Sequence, residues 1–239
     1  MGLDEESFRL GVRILPHHPQ LALEPRKSPV QARSAASVDA ILQATVQVLL
    51  SVGKERLTTT RVASRAGVSV GTLYQYFPNK SALLQAALKR HLAEMADTVE
   101  AACKTQSGAT LQEMGAALIA AFLHAKIRDA KTSVALYSVS SDVDGAKIVQ
   151  QMSVRMNKAI VRMLGSACEP LATDPTLVAS MLQGMMAGVS RRMLESAAPE
   201  KELISFRRQL TVAACAYLEA CSARPPVHGA TTIGDPARA

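Results

Sequence analysis

Thr58 to Lys80 reads TTTRVASRAGVSVGTLYQYFPNK, and the organisation of the chain is legible outward from it. The spacing predicts two short helices joined by a tight turn. Thr59 is placed to cap the first, its hydroxyl accepting from an orphan N–H of the opening turn. Val62, Ala63 and Ala66 give that helix an apolar stripe, and the small alanines admit a second helix closely. Gly67 supplies the left-handed conformation that a sharp helix end requires. Ser69 caps the next helix, whose Leu73 and Phe77 lie four apart on one inward face, and Pro78 stops it. Helix, glycine turn and short helix together form a helix-turn-helix, a unit that can lay its second helix in a DNA major groove.

Upstream, Val38, Ile41, Leu42, Thr45, Val46, Leu49 and Leu50 fall at helical spacing on one face, predicting a helix over 34–52 that Gly53 ends. It provides the floor for the motif. Downstream, a fourth helix over 80–103 buries Leu83, Leu84, Ala87, Leu88, Leu92 and Met95. Five further helices are expected at 110–129, 132–141, 143–168, 174–197 and 200–222, and no stretch alternates long enough for a strand. The chain therefore reads as all-α. The expected domains are a disordered arm over 1–33, a DNA-binding domain over 34–95 with its motif at 58–77, a helical domain over 96–222 and a disordered tail over 223–239. Pro16, Pro19, Pro25 and Pro29 break any period in the arm; Arg26, Lys27 and Arg33 at its end either reach a minor groove or belong to an untidy tail.

Thr59-Thr60-Arg61, Ala63, Ala66-Gly67-Val68-Ser69, Gly71-Thr72-Leu73-Tyr74, Tyr76-Phe77, Asn79-Lys80 and Leu83-Leu84 form an ordered series. It resembles the DNA-binding domain of the TetR/AcrR family of bacterial transcriptional regulators over roughly 34–90. The resemblance implies an N-terminal three-helix helix-turn-helix domain followed by a C-terminal helical domain for ligand binding and dimerisation. It also implies that the helix over 80–103 is a strut between the two.

By position, Val70, Gly71, Thr72 and Tyr74 are the exposed residues in the first turns of the second motif helix and reach base edges, and the capping Ser69 is a DNA contact beside them. Gly71 permits close backbone approach and Val70 offers a methyl surface to thymine. Thr59, Thr60, Tyr76 and Lys80 flank it with groups suited to phosphate oxygens, and Arg61 suits a phosphate or a guanine. Tyr74 and Tyr76 have a second reading, as packing residues. The resemblance implies the same positions as DNA contacts.

Leu177, Met181, Met185 and Val189, with Gly184 and Gly188 among them, form a broad apolar run. Phe206, Leu210 and Tyr217 lie on the stripe of the last helix. A monomer would bury these internally; the resemblance implies instead a homodimer through a four-helix bundle, hence a palindromic double-stranded operator. Met114, Leu118, Phe122, Tyr137, Met152 and Met156 form an adaptable core, which by resemblance encloses a small apolar effector and otherwise is plain core.

The net charge is +7 over 239 residues. Residues 26–91 hold ten Lys and Arg against two Asp and Glu, a net +8, so the remainder sums to −1. A basic surface confined to the motif half suits a polyanion. Cys103, Cys168, Cys215 and Cys221 lack zinc spacing and read as buried or idle thiols in a reducing cytoplasm. Asp142-Val143-Asp144-Gly145 lacks the later ligands of a calcium loop and reads as a helix cap. No metal or cofactor is expected. No basic apolar leader opens the chain, and the uncharged run 175–190 is too short for a bilayer; the protein is expected to be soluble and cytoplasmic, with no membrane partner. No catalytic constellation stands out. The expected function is a repressor released from its operator by an effector. Two other readings stay open: a DNA-binding regulator or activator controlled by a partner or by abundance, and a helical small-molecule carrier or enzyme.

Overall fold

The computed structural model describes residues 29–140, 143–196 and 199–223, without the side chains of 29–33 and 199–202. The expectations for Arg26, Lys27 and the tail from Arg224 lie outside these residues. Among the described residues the fold is nine helices with no strand: α1 (Pro29–Arg56), α2 (Thr59–Ala66), α3 (Val70–Tyr76), α4 (Lys80–Thr105), α5 (Leu111–Ile127), α6 (Ala130–Val139), α7 (Gly145–Leu164), α8 (Pro175–Leu194) and α9 (Pro199–Ala220).

Helix α1 begins at Pro29, inside the expected arm, because proline is tolerated in a first turn where its missing N–H has no partner to lose. Gly53 leaves helical geometry at φ 75°, ψ 170°, and one more turn follows it. Ser34–Arg56 is long and apolar enough to cross a membrane by length and composition. Its Ile41, Leu42, Ala44, Val48 and Leu49, however, are buried in a core shared with α2, α3 and α4. Leu50, expected on that stripe, is 45% exposed. Thr45 is fully buried and returns its hydroxyl to the Ile41 carbonyl at 2.7 Å.

Two cores are strung on α4. At its start Leu83, Leu84, Ala87 and Leu88 join the first core. Farther along, Met95, Val99 and Cys103 join a second, built with α5, α7, α8 and α9. Leu92 packs against both. A helix of 26 residues spans about 39 Å, enough to serve both ends. Arg155 of α7 clamps it, donating at 2.6 Å to Asp97 and at 2.6 Å to Glu100.

The first core is not confined to the N-terminal helices. Leu136 and Val139 of α6, Val143 of the following turn and Ile148 of α7 are buried within it. That turn is tight: Asp144 is left-handed at φ 52°, and a Cβ on Gly145 would overlap the Ser140 carbonyl and lie 2.6 Å from Ser140 Cβ. Asp144 occupies the cap position of α7, but its side chain makes no capping bond, in contrast to the sequence expectation. The turn is held instead through Val143, whose carbonyl accepts from Gln85 Nε2 of α4 at 3.1 Å.

Candidate nucleic-acid interface and effector cavity

The motif forms by local capping. Thr58, rather than Thr59, caps α2, its hydroxyl accepting from the Arg61 N–H at 3.2 Å. Gly67 follows in the left-handed region at φ 69°, ψ 27°. Ser69 then caps α3, accepting from the Thr72 N–H at 3.0 Å. Freed from capping, the Thr59 hydroxyl meets the Tyr74 hydroxyl at 3.1 Å and ties the two helices together. Leu73 is fully buried and Phe77 nearly so, which seats α3 on the domain.

This seating sorts the expected contact residues. Thr60, Arg61, Ser69, Gly71 and Tyr74 are exposed; Thr59, Val70, Thr72, Tyr76 and Lys80 are half-buried. Val70 and Tyr76 pack against the domain core, so each presents only one edge outward. The Thr72 hydroxyl is bonded to that of Ser69 at 2.8 Å. A Cβ on Gly71 would meet nothing closer than Ser69 Oγ at 3.7 Å, so space alone does not require glycine there. Lys80 Nζ donates to the Lys54 carbonyl at 2.6 Å. Gln75, exposed on α3 four residues beyond Gly71 on the same face, is a further candidate for base edges. Its signal was present in that spacing.

A cavity of about 470 Å³ opens between α4, α5, α6, α7 and α8, within the range of roughly 300–1,000 Å³ usual for small-molecule sites. Phe122, Tyr137, Met152 and Met156, four of the residues singled out in the sequence, line it. Met114 and Leu118 do not: both are buried in the second core, on α5, where neighbouring Gly115 abuts Leu218 and Cys215 of α9. Periodicity marks a buried face without saying which neighbour it meets. Residues that sequence reasoning did not single out supply the polar groups, chiefly His91 of α4 and Lys126 of α5.

His91 Nε2 lies 3.0 Å from Ser133 Oγ, while Ser133 donates to the Lys126 carbonyl at 3.0 Å. Because the hydroxyl has a single proton, His91 Nε2 is the donor in this chain of bonds. Burial, and next the Lys126 charge, hold the His91 imidazole below its ordinary value of 6.5. Burial likewise lowers Lys126 below 10.5.

On α8, Leu177 and Met181 are exposed at 55% and 49%, and a Cβ on Gly184 or Gly188 would meet nothing within 4 Å. Met185, Val189, Phe206 and Tyr217 are half-buried against the second core. Leu210 is buried within its own chain and is not part of this open face. Ile204 and Val212, at 70% and 58% exposed, extend the apolar surface on α9. Cys103 and Cys221 are buried, Cys215 is half-buried and Cys168 is exposed. Burial pushes the Cys103 thiol up to about 11.

Comparison with known proteins accords with this geometry. The family described as "Bacterial regulatory proteins, tetR family" matches residues 41–87. "Tetracyclin repressor-like, C-terminal domain" matches residues 110–218. The chain is 29% identical to the HTH-type transcriptional repressor KstR of Rhodococcus jostii over 158 residues, covering 64% of this chain and 72% of the relative. It is 39% identical to the HTH-type transcriptional regulator BetI 1 of Chromohalobacter salexigens over 59 residues. That match covers 25% of this chain and only 29% of the relative. A crystal structure of a TetR-family regulator from Mesorhizobium loti superposes with a TM-score of 0.64 at 21% identity, covering 79% of this chain and 98% of that one, a likeness of fold. A basic helix-turn-helix matched by one TetR family description, and a helical body matched by the other, make this chain a member of the TetR family of transcriptional regulators.

Proposed function

We propose that the chain works as a homodimeric repressor that reads a palindromic operator and leaves it when a small, largely apolar effector fills the cavity. Helix α6 carries the proposal. Leu136 and Val139 sit in the DNA-domain core, while Ser133 and Tyr137 of the same helix, and Ser140 just past its end, line the cavity, as Leu136 itself does. A ligand that displaces α6 therefore acts on the shared core through the packing of α6 against α1 and α4. The strut α4 serves the same end through Leu88, His91, Leu92 and Met95, which also line the cavity.

The expected mechanism is a population shift. The effector favours one setting of α4 and α6, the two α3 helices lose the spacing that the operator demands, and affinity falls. Coupling of this kind typically amounts to about 1–3 kcal/mol, or roughly 5- to 150-fold. The open apolar faces of α8 and α9 support assembly as a dimer, whose symmetry the operator would mirror. The place of action would be the cytoplasm, where the DNA lies.

A nuclease footprint on the DNA immediately upstream of this chain's own gene, at two salt concentrations, tests the proposal. A protected palindrome is the expected result. Uniform, salt-labile coverage there and on genomic fragments would reduce the interaction to phosphate attraction alone and overturn the operator assignment.

A further inference from the structure

We infer that the effector of this cavity is a carboxylate carried on an apolar body, with Lys126 as the residue that receives the negative charge. The inference rests on the effector role proposed above and adds the ligand's chemistry.

The walls define the body. Leu92, Met95, Phe122, Met152, Met156 and Met186 face the space from four helices, and none offers a strong hydrogen-bonding group. Methionines accommodate different shapes, so the walls ask for apolar bulk more than for one outline. At the rim between α6 and α7, Val134, Tyr137 and Val149 are 43%, 49% and 45% exposed, which gives an apolar ligand a greasy entrance.

The polar groups define the head. Most are already engaged within the protein. The hydroxyls of Ser133, Ser140 and Ser190 donate to the carbonyls of Lys126, Tyr137 and Ala187. Gln183 donates to the Ser153 carbonyl and accepts from Asn157. Glu195, the one carboxylate among the described residues that line the cavity, is paired at 2.9 Å with Arg191, whose guanidinium stands 6.0 Å from the Tyr137 ring centre.

Lys126 differs from all of these. Among the described residues no carboxylate lies within ion-pair distance of it, and its ammonium has no hydrogen-bond acceptor there. It is half-buried at the cavity wall, beside the His91 imidazole, whose Nε2 donates to Ser133. A desolvated ammonium without a counter-charge is unfavourable. What is unfilled is therefore an acceptor carrying negative charge, within reach of three ammonium protons. A cationic ligand would add repulsion against Lys126, and a neutral alcohol would leave the charge uncompensated.

Calorimetric titration of the full-length protein tests this with matched pairs: dodecanoate against dodecanol for a straight chain, and adamantane-1-carboxylate against adamantan-1-ol for a compact one. At least one acid is expected to bind about 10- to 100-fold more tightly than its alcohol, the range a charged hydrogen bond supplies. Which acid wins separates a fatty acid from an alicyclic one. Lys126→Met keeps the apolar stem, so it should retain the alcohol's affinity, a control for folding, while losing the preference for the acid. Equal binding of acid and alcohol in the wild type would overturn the carboxylate assignment and leave the effector cavity standing. Retention of the preference in Lys126→Met would overturn the role of this lysine. Absence of binding by all four compounds would overturn both the assignment and the cavity's effector role, while operator binding is read separately by the footprint.

Discussion

Lys80 Nζ donates a 2.6 Å hydrogen bond to the Lys54 carbonyl, fastening the first turn of α4 to the last turn of α1 across the base of the helix-turn-helix. The residue that sequence reasoning assigns to a phosphate thus has a structural tie as well. An ammonium has three protons, so one bond to Lys54 leaves donors for a phosphate oxygen. Lys80→Ala is expected to do two separable things. Stability should fall by about 1 kcal/mol as the tie is lost. Operator affinity should fall on every sequence alike, with the salt slope reduced by about one. Denaturant melts give the first and anisotropy titrations over a salt series give the second. A destabilised variant with an unchanged salt slope would confine Lys80 to its structural tie.

Gly71 allows the opposite dissociation. It lies in the first turn of α3, its φ is not left-handed, and an added Cβ would make only an ordinary 3.7 Å contact with Ser69 Oγ. Alanine is favoured over glycine in helices by up to about 1 kcal/mol. Gly71→Ala should therefore melt no lower than wild type, and even higher, while binding operator DNA more weakly because the methyl group meets the groove. A variant that binds DNA as well as wild type would remove close backbone approach from the account of this site.

Met181→Glu addresses assembly. Met181 is 49% exposed on α8 beside the open surface of Gly184, so glutamate there is well solvated in a monomer but desolvated and facing its own symmetry mate in a two-fold interface. Helix content should be unchanged, while sedimentation shifts to the monomer and operator affinity falls with the loss of one half-site. Leu210→Glu should instead unfold the chain, because Leu210 is 3% exposed within its own core. A Met181→Glu protein that sediments as wild type would move the interface away from this face.

The motif was legible because its determinants are local. Ser69 caps three residues ahead, Gly67 turns the chain, and Leu73 and Phe77 share a face, all within one short window. The choice between Thr58 and Thr59 as cap was not, since three threonines in a row offer the same hydroxyl at adjacent positions. The cavity was half legible. Phe122, Met152 and Met156 announced an adaptable apolar core, but Met114 and Leu118 carry the same periodic signal and are buried in the second core away from the cavity. Lys126 and His91 look in sequence like ordinary polar punctuation. They acquire meaning only when α4, α5 and α6 converge and leave one ammonium without a counter-charge. Nor does any pattern in 130–139 indicate that Leu136 and Val139 complete the core of a domain that ends far upstream.

His91 should leave a signature in the pH dependence of stability. It joins α4 to α6 through Ser133, and it is faced by Lys126, Arg128 and Asp129. Burial lowers its proton affinity most, Lys126 adds to that, Asp129 opposes it, and Arg128 lowers it slightly further. The unfolded chain takes up a proton near 6.5, whereas the folded chain resists until a lower pH. Above 6.5 both states are neutral at this site and nothing is lost; as pH falls below 6.5 the unfolded state gains protons that the folded state does not, and stability declines. Asp129, also lowered, loses its contribution only below its ordinary 3.8, so the two windows do not overlap. Urea midpoints at about pH 7.5 and about pH 5.5, compared between wild type and His91→Gln, isolate the effect. The wild type should lose stability over that interval and His91→Gln, which keeps a donor for Ser133, should lose less. Equal losses would assign the acid sensitivity to other groups and leave His91 a tie between helices with no titrating role.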